Sequence, residues 1–465
     1  VLGEHPGYDL CCEGETMANF LRVLLLVPIA AIAAEGDYSA VAIDQDEYRR
    51  LIETSEELEA YFRSQSVIYT DEAIVALVQR IGHTIAPAPE DDYISYEFFV
   101  IRDPSPNAFA LPNGHVYVTT GMLARLEDEA QLAALIAHEI NHVAGHHGIL
   151  NDRSTTKKLV AVAVVSGLGG VAGASYNVTG DAASAWAQLI GSVIAQSLVA
   201  SIYGFSRDLE QEADDRAVML LLDSPYDPTA MAEVLAILRR DYEGLNPRVP
   251  TMWSTHPELD ERIRLAYARA ALLPGRERES DAFALAVRRL RAITIEDYAQ
   301  DDYPHTAVAL AQSFVERYPQ DAQARTLLGD AWQSMGAQPQ IDPQEWTDRD
   351  KRRNLRARTR RTREQRLERA LETEDGQAAY TANLAQAEAA YDEALALDGN
   401  YAPAYRGLGE VYEKQTNDKA AAEAYLQYVR AAPDAPDRSI VIDRLRALTP
   451  RLKDPQPPQS SEEQP

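Results

Sequence analysis

Residues 136–148 read IAHEINHVAGHHG and hold four of the chain's nine histidines, with one glutamate, inside an apolar run. Imidazoles and carboxylates cost free energy to bury unless something pairs with them. His138, Glu139 and His142 form H-E-x-x-H. On a helix, two histidines four residues apart stand one turn above the other on the same face. Both imidazoles can then reach one ion, while Glu139, on the neighbouring edge, is placed to act as a base on water rather than as a ligand. The chemistry of such a set is metal-assisted hydrolysis, with one Zn2+ per chain as the expected cofactor. The competing reading is a helix whose histidines satisfy one another.

A catalytic zinc takes three protein ligands and keeps a fourth position open. The extended motif H-E-x-x-H-x-x-G-x-x-H would need a histidine at 148. Gly145 is in place, but position 148 is Gly148, so the three-histidine site fails. His146 and His147 miss the spacing and read as helix-end residues, favourable near the negative end of the helix dipole when protonated. The other supply of ligands is SRDLEQEAD at 206–214. Glu210 and Asp214 are four apart and share a helix face. Glu210 would complete a His2Glu set, and Asp214 could accept the free ring N–H of a ligand histidine. Glu212 would point elsewhere. Alone, such an acidic cluster is a solvated helix face; beside H-E-x-x-H it reads as part of a site.

With THPELDERI at 255–263 and NAFALPNGHVYVTTGML at 107–123, the combination resembles the HtpX/Oma/CAAX-protease group of gluzincin zinc metallopeptidases, family M48. Within that group it is most similar to the periplasmic branch that assists beta-barrel assembly and carries C-terminal tetratricopeptide repeats. The resemblance implies His138, His142 and Glu210 as zinc ligands, Glu139 as the general base and Asp214 as the residue supporting the ligands. It also implies a regulatory role for His256, the histidine of the H-P pair, as a self-inhibiting occupant of the open zinc position, with Arg262 as the arginine that follows in that motif. Tyr203 and His256 are candidates for stabilising the oxyanion.

The elements that must position these residues are mainly α. Residues 45–87 read as helical, ending at PAPEDD. YEFFVI (96–101) and HVYVTT (115–120) are strand-like, joined through a Pro-Asn-Gly turn at 112–114. The strand 115–120 is a candidate open edge on which an extended substrate could add. Helix resumes through 127–148, where Leu132, Leu135, Ile136, Ile140 and Val143 recur at helical spacing. Further helices are expected at 206–222 and 254–268. The expected fold is an α+β zincin-like protease domain with a small β-sheet over 35–275, followed by tetratricopeptide-like helical repeats over 281–450. YRGLGEVY (405–412) fits the aromatic-x2-L-G-x2-Y signature of such a repeat, with Ala421, Tyr425 and Pro433 in register for its second helix. A weaker copy, RTLLGDAW, lies at 325–332, and a charged insertion at 337–385 separates the two. The tail 451–465 reads as disordered.

A length of 465 residues calls for two or three domains. A formal charge of −27 argues against nucleic acid as a partner, because phosphate binding needs a basic face. Residues 1–34 read as a signal peptide whose true start is Met17: Arg22 precedes an apolar run ending in the small residues Ala31 and Ala33. The two cysteines, Cys11 and Cys12, fall inside it, so the exported chain has no disulfide framework and no thiol nucleophile. Two apolar stretches within 159–204 read as a buried helix pair or as a peripheral membrane contact. The leading reading is a periplasmic zinc endopeptidase for unfolded or misassembled envelope proteins, reaching the outer-membrane assembly machinery through its repeats. The rivals are a repeat-based periplasmic adaptor or chaperone with a self-inhibited or silent zinc site, and a membrane-embedded protease.

Overall fold

The computed structural model describes residues 45–147, 205–244, 259–340 and 362–453, apart from a few single positions within them. The signal-like segment, 159–204, Tyr203 and His256 lie outside the described residues. The chain divides into two compact units, Val1–Tyr48 and Arg49–Pro465. Of the former, only the opening turn of the first helix is described. The sheet and all the other helices belong to the latter.

Helix α1 (Gln45–Ser64) and α2 (Glu72–Ile85) are separate. The single helical segment expected over 45–87 is broken because Ser66 takes a left-handed φ of 55° and Ile68 forms a β-bridge with Ile101. Asp71 restarts the helix by accepting from the amides of Ala73 and Ile74, an N-cap worth about 1 kcal/mol. Three strands follow: β1 (Glu97–Ile101), β2 (Ala108–Ala110) and β3 (His115–Thr119), in the spatial order β1-β3-β2. β3 runs parallel to β1 and antiparallel to β2. The open edge expected at 115–120 is therefore not there. β3 is the central strand, and β2, too short to show in the hydrophobic pattern, takes the edge.

Both faces of this sheet are covered, which is why its strands read as continuous apolar runs. Phe98, Val100, Ala108, Ala110, Val116 and Val118 face the main core. On the other face Phe99, Tyr117 and Phe109 lie in register across the three strands and stack, each neighbouring pair of rings 5.1 Å apart. Leu58 and Phe62 of α1 close over that ladder. The hairpin between β2 and β3 needs Gly114: its φ is 92°, and a Cβ there would press on the backbone of Ser95.

A short helix, α3 (Thr120–Leu123), leads into α4 (Glu129–Ala144), which carries H-E-x-x-H. Asp128 caps α4 by accepting from Gln131 N–H, and every residue from Ala130 to Val143 is buried. An all-round buried helix is the mark of a domain core. It ends at Ala144, short of the expected 148. Next come α5 (Arg207–Leu222), α6 (Ala230–Gly244) and α7 (Leu259–Ala270), and α5 and α6 pack on α4.

Helix α8 (Asp281–Gln300) belongs to two cores. Phe283, Val287 and Leu290 complete the core around the sheet. Ala292, Ile295 and Tyr298 sit in the core of the helical region with α9 (Pro304–Arg317) and α10 (Ala322–Met335). At the junction Arg291 donates to the carbonyls of Ala124 (2.8 Å) and Leu126 (2.6 Å), which lie between α3 and α4.

The remaining helices are α11 (Arg363–Leu371), α12 (Glu374–Leu397), α13 (Ala402–Lys414), α14 (Asp418–Ala431) and α15 (Arg438–Lys453). Within the expected insertion at 337–385, α11 and the first half of α12 occupy 363–385. The helical pairs share one device. Gly329 of α10 lets the ring of Tyr391 on α12 approach, and Gly409 of α13 does the same for Tyr425 on α14. A Cβ at either glycine would overlap the ring.

Tyr391 donates to Asp330 Oδ1 at 2.6 Å, and burial pushes the Asp330 carboxyl up to about 6 from 3.8 although this hydrogen bond opposes the rise. Between those pH values the folded chain binds more protons than the unfolded one, so stability falls as pH rises through that window. Asp330→Asn is expected to stabilise the chain by about 1–2 kcal/mol at pH 7 and by almost nothing at pH 4. Denaturant unfolding at the two pH values checks this, and an equal effect at both would disprove it.

Candidate metal centre

The buried stripe of α5 is Leu209, Glu210, Ala213, Asp214, Ala217, Val218 and Leu221. Two carboxylates thus lie on the face that apolar spacing turns inward, where they need partners. Helix α4 supplies them. His138 Nε2 lies 3.4 Å from Glu210 Oε2, and His142 Nε2 lies 3.5 Å from Glu210 Oε1. The two Nε2 atoms are 3.0 Å apart. All three ligand atoms fall within 4.8 Å of one another, and all three residues are buried.

The set fits a small divalent ion. A tetrahedral zinc with bonds of about 2.0–2.1 Å holds its donors about 3.3 Å apart, close to the 3.0 Å between the two Nε2 atoms and to the 3.4 and 3.5 Å from each of them to its own nearer Glu210 oxygen. The outer ring nitrogens are committed elsewhere. His138 Nδ1 lies 3.0 Å from Asp214 Oδ1, and His142 Nδ1 lies 2.9 Å from His147 Nδ1. With their protons directed outward, both imidazoles aim Nε2 lone pairs at the same space as the Glu210 carboxylate. Such an arrangement calls for a cation. Protons compete for the same place: burial works against charge on His138, but Asp214 and Glu210 outweigh it and push that residue up to about 10.

Arg262, on the inward face of α7, joins the acids. Its Nε and Nη2 meet the two Asp214 oxygens at 2.7 Å each, and Nη1 lies 2.9 Å from Glu210 Oε2. One guanidinium thus spans both carboxylates and balances one of their two charges. Burial alone would raise Asp214, but Arg262 and His138 hold it below its ordinary range. The histidine that precedes Arg262 in the same motif, His256, lies outside the described residues.

Glu139 is buried beside this set and accepts a hydrogen bond from the Ala110 backbone N–H at the end of β2. Burial pushes its carboxyl up to about 7, with His138 pulling in the opposite direction. A carboxylate with that pKa can both take and return a proton near neutrality.

Motif counting gave three residues no role in the site. Phe205 stacks flat on the His142 ring, with centroids 3.9 Å apart and planes at 15°. His147, read from the sequence as a helix-end residue, is 0% exposed and touches His142. Glu212, expected to point elsewhere, does face away from the ligand set, and its carboxylate lies 3.7 Å from His147 Nε2. The one available signal was Gly145, a helix-ending glycine just before the second histidine pair.

Comparison with known proteins agrees with this geometry. The description "Peptidase family M48" matches residues 70–270, which takes in α2 through α7 and every site residue named above. Over 228 residues the chain is 27% identical to the beta-barrel assembly-enhancing protease of Escherichia coli K12, covering 49% of this chain and 45% of that protein. Over 171 residues it is 34% identical to the mitochondrial metalloendopeptidase OMA1 of Schizosaccharomyces pombe, covering 37% of this chain and 45% of that protein. The chain therefore spans less than half the length of the curated relatives it matches. Its residues 70–270 are a domain of peptidase family M48.

Proposed function

We propose that this chain is a zinc-dependent endopeptidase that hydrolyses unfolded or misassembled envelope proteins, with outer-membrane proteins as its main substrates and the periplasm as its compartment. The observation that carries the reading is the convergence of His138, His142 and Glu210 within 4.8 Å, with Glu139 alongside. The names and bacterial sources of relatives such as the Escherichia coli protease support the substrate and the compartment.

In this reading His138, His142 and Glu210 hold the ion, which supplies Lewis acidity and makes water a usable nucleophile near neutral pH. Glu139 accepts the proton of the attacking water and passes it to the departing amine. Asp214 and Arg262 keep His138 and Glu210 oriented. Substrate binds as an added strand on β2 rather than on the paired β3. Leu111 N–H and the Asn107 carbonyl bond to β3, so the alternate peptide groups, at Ala108 and Ala110, point away from it; the Ala110 N–H is taken by Glu139, which leaves the Ala108 N–H and the two carbonyls to pair with substrate. Pairing by backbone groups suits extended, unfolded chains of varied sequence. The helical region beyond α8 is the proposed docking surface for the assembly machinery. Among the described residues no helix is long and apolar enough to cross a membrane.

The purified chain is expected to hold about one zinc by elemental analysis and to cleave a denatured protein. A chelator should abolish cleavage and added zinc should restore it. Cleavage that survives full metal removal would sink the proposal.

A further inference from the structure

The turn after α4 carries a feature that the H-E-x-x-H chemistry leaves unused. Gly145 ends the helix, and His146 follows in a left-handed conformation with φ 48°. This reverses the chain and brings the His147 ring back beneath His142. The ring lies so close to the helix end that a Cβ on Gly145 would collide with it. His147 is 0% exposed, its Nδ1 is 2.9 Å from His142 Nδ1, and Phe205 packs on both rings. Its other nitrogen, Nε2, faces the Glu212 carboxylate at 3.7 Å, and Glu212 is paired with Arg216 at 2.7 Å.

We propose that His147 and Glu212 are positioning residues for the metal. His147 accepts the Nδ1 proton of His142 and thereby fixes the Nε2 lone pair of that ligand toward the ion, and the Glu212 carboxylate, 3.7 Å from His147 Nε2, draws the proton of His147 to that nitrogen. The proposal rests on reading His138, His142 and Glu210 as a metal site.

The geometry requires this proton order. Two Nδ1 atoms at hydrogen-bonding distance share one proton. If His142 is to present Nε2 as a donor atom to a metal, its own proton must sit on Nδ1. His147 is then the acceptor and carries its proton on Nε2, aimed at Glu212. The arrangement mirrors the other ligand: His138 leans on Asp214 and then Arg262, while His142 leans on His147, then Glu212 and then Arg216. Both acids come from α5, two residues apart, so that one helix supports both imidazoles from different sides.

Support of this kind is worth about 10–100-fold in metal affinity. The test uses the full chain and zinc alone, titrated against a chromophoric chelator, with thermal unfolding of the metal-free protein run alongside. His147→Leu is expected to weaken zinc binding about 10–100-fold. His147→Asn, whose Oδ1 can stand where Nδ1 stood, should recover most of the loss. Equal affinity in wild type and His147→Leu would overturn the proposal. So would equal loss in the Leu and Asn variants, which would reduce the ring to packing. If His147→Leu fails to fold, Glu212→Ala carries the test at a less buried position, with weaker binding expected and unchanged binding contradicting the relay. A wild-type chain that binds no zinc would instead overturn the metal reading itself, a result distinct from all of these.

Discussion

Glu139→Gln is expected to lower the rate of peptide-bond cleavage about 10²–10⁴-fold, the usual worth of a general acid–base, while the chain keeps its full complement of metal. Glutamine preserves the volume of the side chain and can still accept from the Ala110 N–H through its amide oxygen. The packing of α4 against β2 therefore stays as it is, and His138 and His142 remain where they were. What is lost is a carboxyl raised to about 7 by burial, in place to exchange a proton with water. Turnover of a denatured protein measured beside metal content separates the two effects. A variant that cleaves at the wild-type rate would assign the base elsewhere, and one that loses the metal as well would make Glu139 part of the ligand framework.

Arg262→Met has the largest expected effect on stability. Methionine fills much of the same space but leaves Asp214 and Glu210 buried without their shared cation. Removing one partner of a buried ion pair costs about 3–5 kcal/mol. Denaturant unfolding of the metal-free chain at pH 7 measures it, and a loss below about 1 kcal/mol, the worth of an exposed pair, would contradict the assignment. The loss should shrink as pH falls. Without Arg262, desolvation raises both carboxyls in the folded state, so the variant takes up protons more readily than its unfolded form and regains stability on acidification. Added zinc should restore part of the loss at neutral pH, because it supplies the missing positive charge to Glu210.

Much of the site could be read from spacing. His138, Glu139 and His142 share a helix face by arithmetic alone, and Glu210 with Asp214 repeats that arithmetic on a second helix. Their inward direction was also readable, because Leu209, Ala213 and Ala217 set the apolar stripe that the acids fall on. What escaped has local causes. β2 is three residues long, too short for alternation to register, and it displaced β3 from the edge. The break after α1 turns on one left-handed residue, Ser66, of a type that seldom adopts that conformation. The helix-end reading of His147 gave it no role in the site, because spacing does not show that a glycine followed by a positive φ sends the chain back into the core. Arg262 is marked in the sequence only by the resemblance, as the arginine that follows His256 in the motif, and spacing assigns it no partner. Its task becomes evident once α7 is seen to bring it against both acids.

Helix α8 has a consequence for how the molecule comes apart. Its first half supplies Phe283, Val287 and Leu290 to one core, and its second half supplies Ile295 and Tyr298 to the next. Burying the first three contributes about 5–8 kcal/mol at the usual worth of such side chains, a large part of the whole stability of an ordinary domain. A cut between α7 and α8 would strip that from the metal-bearing half and expose three apolar side chains on the other. The two halves are therefore expected to unfold together, so that melting the helical region would loosen the metal centre as well.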